Sequence, residues 1–361
     1  MKVIAQPAFG GRSDNPYTWL LYQPMQVLVA DYSFRGALAG RYNILHLHWP
    51  ERELNAYRGR LAAGMRLWMK LALIDAMRAR GTKVVWTVHN LNSHEGLHPR
   101  MEPWFWNAFT KRVDGFIALS EAGKLAARER FPRLQSVPGY VIPHGHYRGE
   151  YAVDASVDAR RELGIAPYAK VVLFFGLIRE YKNVPGLIRA FREVAGEDRV
   201  LLVAGRPHSA ELAEALRREA AGDPRIRLHL QSIPNERVQL FFRAADLVAL
   251  PYRDILNSGT ALLALSFNRP VLVPGRGAMS ELRASIGADW VRTYTGDVGS
   301  AELEQALQWA VGMDRPAEAP LSALEWPKIA EQTVQAYSEI LAMRRPADAA
   351  VGELVSRNST L

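Results

Sequence analysis

Short runs of β-branched and aromatic residues, each followed by a polar or glycine-bearing loop and then a helical stretch, recur along this 361-residue chain. KVIAQP (2–7), NILHLHW (43–49), KVVWTVH (83–89) and GFIALS (115–120) come first, and YVIPHG (140–145) adds a further short strand. KVVLFFGLI (170–178), RVLLVAGRP (199–207), RIRLHLQSI (225–233), DLVALPY (246–252) and RPVLVPG (269–275) repeat the pattern in the second half. Runs this apolar are buried on both faces, and alternation with helices makes them strands of parallel sheets. The chain is too long for one core, so the pattern predicts two doubly wound α/β domains of similar size with a cleft between them. Ligands of such sheets gather at the carboxyl ends of the strands.

The boundaries follow from the same reading. A helical stretch runs over about 53–80, between the second and third strands. The polar connection HYRGEY to VDASVDARRELGI separates a first domain, 1–150, from a second, 151–325. WPKIAEQTVQAYSEILAMRR, over 326–345, has apolar residues at helical spacing and is predicted to pack on the body of the protein. The small, polar tail 346–361 is predicted to be disordered.

The chain has no cysteine, which removes disulfides, thiolate metal sites and cysteine nucleophiles and fits a reducing compartment. The start, MKVIAQPAFGGRSDNPY, is expected to be neither a signal peptide nor a membrane span, having one lysine and only a short apolar run, and no uninterrupted 18-residue apolar stretch occurs in the sequence. The net charge of +8 is lopsided: residues 1–150 carry 20 Lys and Arg against 11 Asp and Glu, and the remainder 25 against 26. A basic first half points to an anionic partner, whether nucleic acid, an acidic membrane surface or a phosphorylated substrate.

Three strand mouths carry chemistry. Gly10 and Gly11 follow the first strand, where paired glycines let backbone amides approach a ligand or make a plain tight turn; the dinucleotide spacing is absent. FFGLIREYKN (174–183) places Arg179 and Lys182 just before a helix, a pocket suited to a diphosphate. Ser258, Gly259 and Thr260 open another helix and can present amides and hydroxyls to phosphate oxygens, or simply cap it. VHNLNSHE (88–95) gathers two histidines, two asparagines and a glutamate at the mouth of the third strand.

Taken together, Gly10–Gly11, His89, FFGLIREYKN, VAGRP, FFRAADLVALPYRD, the SGT loop and NRPVLVP resemble the nucleotide-sugar glycosyltransferases of GT-B fold, two Rossmann-like domains, over roughly residues 1–345. HLHWPE (46–51) with VHNLNSHE is most similar to bacterial exopolysaccharide mannosyltransferases of the xanthan β-mannosyltransferase type. The resemblance implies transfer of mannose from GDP-mannose to a polyprenyl-diphosphate-linked oligosaccharide at the inner membrane face. It also implies a last helix that crosses back to the first domain. Many retaining members carry two glutamates spaced by seven residues before the segment matched by NRPVLVP. Here those positions are Ile255 and Leu263, with Asp254 one residue off the first, so an inverting reaction is expected.

An inverting transfer needs a general base. Glu95 and Glu51 are the first candidates, His94 the next, and His89 is expected to contact donor sugar or acceptor. Asn90, His48 and Trp49 complete the expected acceptor side. The expected donor side is Gly10, Gly11, Arg179, Lys182, Ser258, Gly259 and Thr260, whose two cations would stabilise the departing diphosphate without a metal. No cofactor beyond the nucleotide sugar, itself a substrate, is expected. Basic-aromatic stretches at 52–80 and 101–112 predict membrane contact through Trp68, Trp104, Phe105 and Trp106, hence peripheral attachment to the cytoplasmic membrane's inner face, unless their apolar sides are core. Three alternatives remain open: a retaining enzyme using UDP-glucose or another donor, a sugar-phosphate epimerase, and a nucleic-acid binder.

Overall fold

The computed structural model describes residues 1–12, 15–55, 58–93 and 97–343. The chain forms two compact units: residues 1–144 together with the helix Trp326–Ala342, and Gly145–Glu325. The tail expected to be disordered lies outside the described residues.

Unit 1 holds β1 (Lys2–Gln6), β2 (Leu28–Asp31), β3 (Ile44–Leu47), β4 (Lys83–Val88), β5 (Gly115–Ala118) and β6 (Gly139–Val141). They form one parallel sheet in the order β2-β1-β3-β4-β5-β6. The chain direction across the sheet reverses between β1 and β3, so their carboxyl ends open the crevice where an open α/β sheet binds ligands. β3, β4 and β5 are buried along their whole length, as continuous apolar runs require when helices cover both faces.

The helix Trp326–Ala342 belongs to this unit: Ile329, Tyr337 and Ile340 pack into the core made by Val3, Tyr17, Ile44 and Val85. Gly115 makes that approach possible, because an added Cβ would run into Ile340. Lys83 Nζ donates to the Met343 carbonyl at 2.7 Å, a cation at the helix C-terminus. The long stretch expected as one helix is instead a 3-10 turn, Pro50–Asn55, followed by a helix over Arg60–Ala79.

Unit 2 holds β7 (Lys170–Phe175), β8 (Arg199–Ala204), β9 (Ile226–His229), β10 (Leu247–Ala249), β11 (Val271–Pro274) and β12 (Val291–Tyr294). Their order, β12-β11-β10-β7-β8-β9, is that of a dinucleotide-type sheet whose switch point lies between β7 and β10. The loops leaving β7 and β8 run against each other: Gly205, at φ +151°, has no room for a Cβ because the Gly176 carbonyl occupies that place. Two strands had no counterpart in the expected series, β2 and β12, and both lie at sheet edges.

Candidate functional site

In unit 1, histidines converge at the β1/β3 crevice. His46 and His48 are two residues apart at the carboxyl end of β3 and therefore project to the same side. Tyr22, from the helix Tyr17–Tyr22, places its hydroxyl 2.7 Å from His46 Nδ1 and 2.6 Å from His48 Nε2. His48 Nδ1 lies 3.1 Å from His89 Nε2, just past β4. Deeper in, His46 Nδ1 meets the Tyr337 hydroxyl at 2.5 Å and His46 Nε2 meets Thr87 Oγ1 at 2.7 Å. A continuous hydrogen-bonded chain thus runs from Thr87 in the core to His89 at the mouth. His89 is stacked on Trp49, 4.4 Å between centroids, and edge-on to Tyr17 at 4.8 Å.

Burial decides the charge of this chain. It pushes His46 down to about 3, and holds His48 and His89 well below the usual histidine range. Their mutual repulsion acts in the same direction, so all three rings are neutral at pH 7 and each offers one N–H and one lone pair. His89 Nδ1, the outermost nitrogen, makes no hydrogen bond among the described residues. The three rings are linked to one another and to hydroxyls, and no group of three or more His, Asp, Glu or Cys among the described residues is placed to hold one metal ion.

Glu51 sits beside this chain on the turn Pro50–Asn55. It is buried, and loss of hydration raises its carboxyl to about 7, against the opposing effect of a 2.8 Å hydrogen bond donated by Asn90 Nδ2. A carboxyl poised there exchanges a proton readily at neutral pH. Glu102 fixes the adjoining loop by accepting from the Ser93 amide at 2.6 Å and Trp106 Nε1 at 3.1 Å. The candidates His94 and Glu95 lie outside the described residues.

In unit 2, three groups meet at the β7/β10 switch point. A Cβ on Gly176 would stand 3.4 Å from Thr260 Oγ1 and 3.8 Å from Lys182 Nζ, so the glycine keeps open a space that a hydroxyl and an ammonium both face. Lys182 lies over the Tyr252 ring at 5.2 Å, and burial lowers its pKa. Arg179 Nη1 and Asn257 Nδ2 are buried with no hydrogen-bond partner among the described residues. Unused buried donors next to a buried ammonium are what an oxyanion would satisfy. The helix Gly259–Ser266 begins here, capped by Ser258 Oγ, which accepts from the Ala261 amide at 3.2 Å. The amides of its first turn and the helix dipole add to the anion-binding character. Ser258 is thus engaged as a cap, leaving Gly259 and Thr260 as the forward groups.

Several expectations need correction. Phe105 and Trp106 are each 1% exposed and pack with Trp86, Phe109 and Phe131, so they are core and cannot meet a membrane. The spacing 105, 106, 109 is one face of the short helix Glu102–Thr110, turned onto the sheet. Trp68 and Trp104 are 65% and 48% exposed. His48 is buried with both ring nitrogens engaged, so it cannot touch an acceptor directly and acts on His89. Gly10 and Gly11 lie in unit 1 with open space around them. Of the positions matching the absent glutamate pair, Leu263 is buried and Asp254 is exposed. The sequence reading named neither Tyr22, His46 and Tyr337 as members of the relay nor Glu102 as a loop anchor. The two histidines at alternate positions of a buried strand were the one available signal.

Two parallel six-stranded sheets, each with polar groups gathered at its switch point, define a GT-B-type α/β protein. HepE from Anabaena, solved in complex with UDP-glucose, matches with a TM-score of 0.61 at 17% identity, covering 94% of this chain and 98% of that one. A glycosyltransferase from Rickettsia africae ESF-5 matches with a TM-score of 0.62 at 11% identity, covering 95% and 99%. Residues 169–308 match the family described as glycosyl transferases group 1. Over 329 residues the chain is 31% identical to GDP-mannose:glycolipid 4-beta-D-mannosyltransferase of Xanthomonas campestris pv. campestris, covering 91% of this chain and 89% of that protein. The chain belongs to the group 1 glycosyltransferases.

Proposed function

We propose that the chain transfers mannose from GDP-mannose, with inversion, to a glycolipid acceptor, a polyprenyl-diphosphate-linked oligosaccharide. The observation that carries the donor and acceptor classes is the similarity, along nine-tenths of both chains, to an enzyme whose name specifies GDP-mannose, a glycolipid and a β-mannosyl product. GDP-mannose is α-linked, so a β product requires inversion.

Unit 2 holds the donor. Its diphosphate takes up the unused donor of Arg179, the Lys182 ammonium, the Thr260 hydroxyl and the amides at Gly259. As the bond between the anomeric carbon and the phosphate oxygen breaks, the electron pair stays with the diphosphate, and these fixed cations neutralise it without a metal. Unit 1 holds the acceptor. Glu51, buried and held by Asn90, takes the proton of the attacking hydroxyl as the new glycosidic bond forms. His94 and Glu95 remain candidates for the same office. His89 Nδ1, with its proton set by the chain behind it, hydrogen-bonds a sugar hydroxyl, and Trp49, stacked on that ring with the Arg52 guanidinium over it at 4.7 Å, holds the imidazole in place.

The enzyme works against the inner face of the cytoplasmic membrane. Supporting this is a stripe on the helix Arg60–Ala79, where exposed Leu61, Met65, Trp68 and Met69 neighbour the exposed Arg58 and Arg60. No helix among the described residues is long and apolar enough to cross a membrane. The test is incubation with GDP-mannose and a polyprenyl-diphosphate oligosaccharide in EDTA, with NMR of the product's anomeric centre. A β-mannosyl product is expected; an α product contradicts inversion, and turnover of UDP-glucose in place of GDP-mannose contradicts the donor.

A further inference from the structure

Unit 1 has a cavity of about 340 Å³ at the carboxyl ends of β1 and β2, lined by both apolar and charged side chains, which the transfer chemistry leaves unused. Lys70 lines it from the helix Arg60–Ala79 and is only 7% exposed. Its ammonium has one hydrogen-bond acceptor, Gln6 Oε1; Glu53 Oε1 stands 4.0 Å away and the Tyr32 ring centroid 3.5 Å away. Glu53 also accepts from Arg66 Nε at 3.0 Å and from Gln6 Nε2 at 3.0 Å. One carboxylate is therefore shared by two cations, and the Lys70 ammonium, with three N–H groups, has no second hydrogen-bond acceptor among the described residues. Burial costs this ammonium its usual basicity and lowers it to about 7, a penalty that an incoming anion would relieve.

We propose that this cavity is an anion subsite for the acceptor, taking a single oxyanion, a carboxylate or a phosphate, against Lys70 and Arg66. Among the described residues that line it, two cations face one carboxylate, a balance that favours an anion over a cation. The volume is at the low end of small-molecule sites, roughly 300–1,000 Å³, which suits one sugar or phosphate group and is small for a whole nucleotide sugar. Tyr32 and Phe34 line the same cavity and give a sugar ring apolar surface beside the charge. Its place follows from the turn Pro50–Asn55, which carries Glu51 toward Asn90 and Glu53 toward the cavity, so the subsite adjoins the proposed base. This inference rests on the reading of unit 1 as the acceptor-binding half. The oxyanion has two sources, an acidic sugar of the acceptor's glycan and the phosphates of its lipid carrier.

The test follows the side-chain carbon resonances of lysine in the full-length protein by NMR, with Lys70→Met identifying the Lys70 signal. The Lys70 midpoint is measured in methyl glucuronide, in inorganic phosphate and in methyl glucoside, at constant ionic strength. A rise of about one pH unit with an anion, equivalent to tenfold tighter binding to the charged form, is expected, and none with the neutral glycoside. A response to glucuronide above phosphate assigns the acidic sugar, and the reverse assigns the lipid phosphate. A midpoint moved by neither anion, or moved equally by the neutral glycoside, overturns the subsite. GDP added to the same sample separates the two claims: GDP binding with an unmoved Lys70 rejects the subsite alone, while no GDP binding rejects the donor assignment.

Discussion

His48 Nδ1 lies 3.1 Å from His89 Nε2, and both rings are held neutral by burial, so the proton on one decides the proton on the other. If His48 donates, His89 carries its proton outward on Nδ1, and His48 Nε2 must accept from the Tyr22 hydroxyl 2.6 Å away. Reversing one link reverses the rest. Tyr22→Phe removes the oxygen between His46 and His48 and leaves the buried His48 Nε2 unpaired, while His46 Nδ1 keeps the Tyr337 hydroxyl, which costs about 1–3 kcal/mol. Nitrogen-15 NMR of the His89 ring is expected to show one tautomer in the parent protein and a mixture in the variant.

The same neutral histidines set the response to acid. Their pKa values are lowered in the folded state, so the unfolded chain binds protons that the folded chain does not. The resulting stability is fully present above the unfolded value of about 6.5 and is lost as pH falls toward the folded values, about 3 for His46. Each histidine contributes a slope of about 1.4 kcal/mol per pH unit below that point. Denaturant titrations of the protein between pH 7.5 and 5 should show stability falling, and His46→Asn should reduce the slope.

Glu51 predicts the activity profile. A base with its carboxyl raised to about 7 is active when deprotonated, so kcat/KM rises with pH through about 7 and levels above it. Glu51→Gln should lower kcat by about 10²–10⁴ and abolish that limb. A variant that keeps the limb would transfer the role to His94 or Glu95.

Trp68 and Trp106 separate surface from core. Trp106→Ala empties a packed aromatic cluster and should cost about 3–5 kcal/mol. Trp68→Ala should leave stability within about 0.5 kcal/mol and weaken sedimentation with vesicles of anionic lipid. Unchanged vesicle binding in Trp68→Ala would contradict the membrane-facing stripe.

These contrasts also show what a sequence discloses. Ten strands were legible because buried strands read as apolar runs, and the nearness of Lys182 and Thr260 to Gly176 because local spacing sets them at two strand mouths. β2 and β12 were not: both are short edge strands, β12 interrupting Val291 and Tyr294 with Arg292 and Thr293, and the brief run VLVA (27–30) at β2 keeping Leu28 68% exposed. Phe105 and Trp106 were misplaced because an apolar helix face beside lysine and arginine looks the same whether sheet or lipid covers it. Tyr337 reaches His46 across 291 residues of sequence, a partnership that only the docking of the last helix creates. Lys70, in the middle of an amphipathic helix, reads as solvated until Gln6 and Glu53 are seen around it.

The proposed transfer depends first on a GDP-mannose site built on Arg179 and Lys182. Calorimetric titration with GDP, UDP and GDP-mannose in EDTA, repeated with Arg179→Ala, tests it most directly. Metal-free binding of GDP and GDP-mannose is expected, tighter than UDP and at least tenfold weaker in the variant, as losing a hydrogen bond to a charged group implies. No nucleotide binding, a preference for UDP, or an Arg179→Ala variant that binds GDP as the parent does would contradict it.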